Sequence, residues 1–142
     1  MMTMTLKHFF LVIALLTSCL SIQAQGKFDP AKFKADRQKY ITEEAGLTQQ
    51  EAAKFFPLYD EMSDKLRAIH QQKKALRKSK PTTEAAYRKV IEQRDAFEVR
   101  MKEIERTYHV KFLNVLSAKK LYDVLNAETR FYKNAFKKTA KK

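Results

Sequence analysis

Two long apolar seams organise the chain. From Phe55, apolar side chains recur three and four residues apart: Tyr59, Met62, Leu66, Ile69, then Lys73 in an apolar slot, then Leu76. The second seam runs Tyr87, Val90, Arg94, Phe97, Met101, Ile104 and Tyr108, with Arg94 as its one charged member. Spacing of this kind marks a helix that packs lengthwise on another. Between the seams lies KSKPTT, Lys78–Thr83, where Pro81 disfavours helix at Lys80 and Thr82 or Thr83 can cap the next helix. A short link between two long helices predicts an antiparallel hairpin.

Local signals complete the element list. Asp29-Pro30 reads as a cap followed by proline in the first helical turn, and Phe33, Tyr40 and Ile41 give a sparse apolar face. Gly46 suits a left-handed helix stop. Thr48 then caps the second helix, with Glu51 at capping-box spacing and Leu47 placed as a hydrophobic staple. Pro57 predicts a bend inside that helix. Ser117 caps a last helix whose apolar face is Leu121, Val124, Leu125, Phe131 and Tyr132. The expectation is all-α, with helices at about 30–45, 49–79, 84–116 and 118–136 and a frayed basic tail at 137–142. The third helix would be about 50 Å long. So thin a body buries little of its surface, and Phe56, Leu58, Val99 and Phe136 fall outside the seams. A second copy related by two-fold symmetry would cover them, so a homodimer is expected.

The first residues read as an export signal rather than as domain. Lys7 and His8 precede the apolar run FFLVIALL, and small residues lead out to Ala24, which sets a signal peptide at 1–24 and one helical domain at 25–138. A second reading takes LTSC, Leu16–Cys19, as a lipobox with Cys19 carrying lipid. Cleavage at Ala24 would remove the single cysteine, leaving no disulfide, thiolate nucleophile or Cys-ligated metal site.

Charge bears on partners. The chain carries 29 Lys and Arg against 16 Asp and Glu, a net of +13, and only Lys7 leaves with the signal. Such a field attracts acidic partners: unfolded acidic chains, anionic lipid or nucleic acid, of which export disfavours the last. The run Gln71–Lys80 has five cations and no acid, and it serves either as a binding patch or as a solvated helix end facing the helix dipole. Lys73 and Arg94, expected opposite about Val90 and Ile69, read as cationic points on an apolar surface or as snorkelling side chains. His70 and His109 stand alone, and no H-E-x-x-H, G-x-S-x-G or phosphate loop occurs. Neither catalysis, a cofactor nor a metal is expected.

The two helix starts LTQQE (Leu47, Thr48, Glu51) and LSAKK (Leu116, Ser117, Lys120) resemble the paired LTxxQ boxes of the Spy/CpxP-like family of periplasmic proteins. The flanks EAAKFFPLYDEM and FLNVLSAKKLYDVLNAE add to the likeness, which spans about residues 40–136. The boxes depart from the family where Glu51 and Lys120 replace the final Gln and Ser117 the second Thr. The resemblance implies a hooked four-helix hairpin, a cradle-shaped antiparallel dimer with a basic, partly apolar concave face, and an ATP-independent chaperone or an envelope-stress regulator. The metal-binding features of some relatives are missing, so no metal is carried over.

Charge, seams and resemblance together support two functional expectations. The first is a periplasmic protein that holds unfolded or acidic envelope proteins through Lys65, Arg67, Lys73, Lys74, Arg77, Arg88, Arg94 and Arg100, with Met62, Phe97 and Met101 as apolar points. The second is a regulatory module that docks on a membrane stress sensor, a kinase or an anti-sigma factor. A weak anionic-lipid contact through Lys133–Lys142 is a further expectation.

Overall fold

A computed structural model describes residues 28–139. The expected signal at 1–24, with Cys19, lies outside them. The described residues form four α-helices and no strand: α1 Pro30–Ala45, α2 Gln49–Arg77, α3 Glu84–Leu113 and α4 Ala118–Thr139. The chain divides into two compact units, Met1–Phe33 and Lys34–Lys142. In the first, the Asp29 carboxylate accepts from the N–H groups of Ala31 and Lys32, opening α1, and the Phe28 and Phe33 rings meet at 5.5 Å.

Local rules set the ends of the elements. Gly46 sits at φ 59°, in the left-handed region, and both N–H bonds of a Schellman stop are present: Gly46 to the Glu43 carbonyl and Leu47 to the Thr42 carbonyl. One residue later the capping box closes. The Glu51 N–H donates to Thr48 Oγ1 at 3.2 Å, and the Thr48 N–H donates to Glu51 Oε2 at 2.9 Å. α2 continues unbroken past Pro57. The proline offers no N–H to the Ala53 carbonyl, and Ala53 is exposed, so water can replace that bond. Thr83 caps α3 through the Ala86 N–H.

Three ends differ from the sequence reading. α2 stops at Arg77 instead of about residue 79, with the N–H groups of Lys78 and Ser79 turning back three residues to Ala75 and Leu76. α3 stops at Leu113 instead of about Leu116, because the N–H groups of Asn114 and Val115 turn back three residues, to Lys111 and Phe112. α4 runs on to Thr139, with Lys137 and Lys138 in its last turn where their charge complements the helix dipole, so the tail expected to fray from residue 137 begins as helix.

The core of the second unit gathers where all four helices meet. It holds Ile41, Ala45, Leu47, Phe55, Tyr59, Met62, Tyr108, Phe112, Leu116, Leu121, Val124 and Ala127. Phe55 and Phe112 form its centre, edge to face at 4.8 Å. Phe56 and Leu58, expected to need a second copy, are half-buried against this same core. Along α2 and α3 the contact partners rise in number on one helix as they fall on the other: Phe55 meets Phe112, and Lys73 meets Glu98. Beyond the core, no residue from Gln71 to Thr107 is buried.

Phe112→Ala would empty the centre of this cluster, and a loss of about 3–5 kcal/mol is expected from urea unfolding monitored by circular dichroism.

Candidate functional site

Three surfaces carry the chemistry: the joint between the two boxes, a polar cluster beside the core, and the arm formed by the outer parts of α2 and α3.

At the joint, the two helix starts meet. Lys120 Nζ donates to Glu51 Oε2 at 2.5 Å, while the Lys120 N–H donates to the Ser117 hydroxyl at 3.2 Å. Glu51 thus holds its own cap and the opposite helix. Lys120, and after it the Thr48 N–H, holds the Glu51 carboxyl below its usual range. Two of the three departures from the LTxxQ pattern, Glu51 and Lys120, are therefore an ion pair with each other. The joint is architectural: it fixes α4 against the start of α2.

Beside the core, Arg37 is only 7% exposed. Its Nη1 donates to the Tyr132 hydroxyl at 3.0 Å, its guanidinium lies 4.7 Å over the Tyr59 ring, and Asp60 stands 3.8 Å from Nη2. Burial works against its charge, but Tyr59, Tyr132 and Glu128 outweigh it and hold the group above its usual range. The Tyr59 hydroxyl donates to Glu128, and burial, then that carboxylate, pushes the phenol far up. Arg37 Nε has no hydrogen-bond partner. A groove of about 400 Å³ opens beside the cluster, lined by Arg37, Met62, Leu66, Arg67, His70 and Tyr132 among others. Arg37 was not singled out in the sequence, although it sits four residues from Phe33 and from Ile41, in the apolar stripe of α1. A cation in an apolar slot was the available signal.

The expected binding residues fall into three groups. Met62 is a correction: at 4% exposed it fills the core and shows only an edge to the groove beside Arg37. Lys65 and Arg67 lie near the core end of α2, where they pair with Glu61 and Asp64 at 3.6 and 3.1 Å. The remainder lie on the arm. Lys73 reaches Glu98 rather than about Val90: the register set by Phe55 on Phe112 places Lys73 level with about Arg94, and the lean of both long side chains toward the N-terminus of their own helix adds to the offset. The Glu98 carboxyl is held low by Lys73. Lys74, Arg77, Arg88 and Arg100 are exposed and make no ion pair among the described residues. Arg94 is exposed beside the Glu98 charge, and Phe97 and Met101 are half-buried along the seam.

Near the inner end of the arm, Tyr108 is buried with Lys111 Nζ 4.3 Å over its ring. Burial, then the adjacent Glu61 carboxylate, pushes its phenol up to about 12. The hydroxyl closes no hydrogen bond of good geometry. Among the described residues, no group of three or more His, Cys, Asp or Glu could hold a metal ion, and no helix is long and apolar enough to cross a membrane. Comparison of the chain with protein-family models, with curated proteins and with solved structures finds no match.

The depressed carboxyls predict acid sensitivity. Glu51, Glu61 and Glu98 all titrate below their usual range when folded, so their contribution is complete above the unfolded value, near pH 4, and is lost as pH falls through the lower folded values. Thermal unfolding midpoints should therefore fall on acidification below about pH 4. Glu51→Gln, which keeps the cap geometry but not the charge, should flatten that fall.

Proposed function

We propose that this chain is a periplasmic, ATP-independent binding protein of the Spy/CpxP-like kind that holds unfolded or damaged envelope proteins, and that it is not an enzyme. The observation that carries this reading is the arm. From Gln71 to Thr107 no side chain is buried; Leu76, Val90, Phe97 and Met101 are half-covered, and Tyr87, Ile91 and Val99 are exposed. The cations Lys74, Arg77, Arg88 and Arg100 lie on the same segment with no ion pair of their own among the described residues. An apolar seam with unpaired positive charge suits an acidic, partly unfolded chain: attraction speeds encounter, and loose apolar contact gives short-lived capture. Lys73 and Glu98, by contrast, are engaged with each other and serve to hold the arm together.

In this reading α2 and α3 form a hooked antiparallel hairpin, and two copies pair into a cradle lined by the arms. The exposed Val99 supports the pairing, since it belongs to neither the core nor the seam. The paired boxes support the kinship, and the charged, apolar and small-residue order of residues 1–24 supports export.

The test is aggregation of an acidic client at equimolar chain. Suppression is expected at about 0.1 M salt and should weaken near 1 M, where the screening length falls from about 10 to 3 Å. The triple variant Lys74→Glu, Arg77→Glu, Arg88→Glu should lose at least half of the suppression while keeping its helical signal. A chain that suppresses nothing at either salt, and instead captures one stoichiometric membrane partner from envelope extract, would favour the docking module on a stress sensor.

A further inference from the structure

α4 carries a second exposed surface, separate from the arm. Its inner stripe, Leu121, Val124, Leu125 and Ala127, packs on the core. Its outer stripe is Tyr122, Thr129, Lys133 and Phe136, seven, four and three residues apart, so these side chains share one face. Tyr122 is 66% exposed and Phe136 70%. Lys119, Arg130 and Lys137 flank them, the first paired with Asp123 and the second with Glu44 of α1 at 2.7 Å. α4 has two acids only. Asp123 is bound by Lys119 at 2.7 Å, and Glu128 accepts from the Tyr59 hydroxyl. Lys133, Lys137 and Lys138 have no ion pair among the described residues. Two largely exposed aromatic rings about four turns apart are thus set among cations, with both carboxylates of the helix already engaged.

We infer that this face of α4 lies on an anionic membrane surface. The chemistry selects that occupant over a second copy of the chain. A two-fold contact would set like charges on like charges, because the face holds cations and no available acid to complement them. Anionic headgroups supply the missing charge, and exposed aromatic side chains settle at headgroup depth. The helix would lie along the surface rather than span it, consistent with an apolar stripe already occupied by the core. This extends the lipid contact from the tail alone to the whole outer face, with Tyr122 as its far anchor. Such attachment is peripheral and reversible, and it leaves the arm exposed for its own partner.

Sedimentation of the full chain with vesicles tests this. Binding is expected to vesicles of phosphatidylglycerol and phosphatidylcholine, and not to phosphatidylcholine alone. Lys133→Gln with Lys137→Gln should weaken binding by roughly tenfold or more, since each surface cation near anionic lipid is worth about fivefold. The chain has no tryptophan, so Tyr122→Trp gives a single probe whose emission should shift to the blue on anionic vesicles. All three substitutions are at exposed sites and should leave the helical signal unchanged. Vesicle binding unaltered by the lysine pair, an unshifted Tyr122→Trp emission, or equal binding to neutral vesicles would each overturn the proposal. So would a concentration-dependent dimer broken by Tyr122→Ala in a chain that ignores vesicles. The arm variant with Lys74, Arg77 and Arg88 replaced should still sediment, which separates failure here from failure of the chaperone reading.

Discussion

The edge-to-face contact of Phe55 with Phe112 is the point from which this molecule is organised. Around it α2 contributes Tyr59 and Met62 and α3 contributes Tyr108, and α1 and α4 add Ile41, Leu121, Val124 and Ala127 to the same cluster. Apart from Ile69, every buried apolar residue among those described belongs to that one cluster. The consequence is geometric. α2 and α3, 29 and 30 residues long, extend well past the site where their burial is concentrated. An arm with a half-open seam is what remains when two long helices share a core at one end only.

Polar contacts pin the short helices to that core. Burying Arg37 would be unfavourable for an isolated guanidinium, and it is tolerated because Tyr132, the Tyr59 ring and Asp60 surround it. Arg130 meets Glu44 at 2.7 Å, and Lys120 meets Glu51. These bonds join α1 to α4 and α4 to α2. Exposed pairs contribute little each. Their value is in choosing one angle for helices whose apolar stripes alone would permit several.

How far the sequence spoke depended on whether a rule was local. Gly46, Thr48 and Glu51 were legible, and Thr83 as one of two candidates beside Thr82, because a cap is decided by the few residues around it. The end of α3 was not: nothing near Leu113 forbids helix, and the chain turns at Asn114 to bring Leu116 into the core. Heptad spacing placed Met62, Phe97 and Met101 correctly on seams. It could not tell a seam segment covered by four helices from one covered by two, so Met62 was given a surface role that its burial denies. Lys120 and Glu51 each read as departures from a motif, and their pairing across 69 residues is a tertiary fact that neither box contains.

The distribution of charge reflects the same concentration of burial. Around the core the acids are engaged: Glu44 by Arg130, Glu51 by Lys120, Asp60 by Lys34 at 2.8 Å, and Glu128 by Tyr59. The joint is thereby close to balanced, and the positive excess of a +13 chain is displaced outward. It collects on the arm, at Lys74, Arg77, Arg88 and Arg100, and on α4, at Lys133, Lys137 and Lys138. Each place also carries apolar groups that the small core has no room for: Tyr87, Ile91 and Val99 on the arm, Tyr122 and Phe136 on α4. The two surfaces differ in form. The arm is a long, shallow seam shared by two helices, whereas α4 presents the face of a single helix. A single core placed at one end thus leaves two separate surfaces on which exposed cations and apolar groups lie side by side.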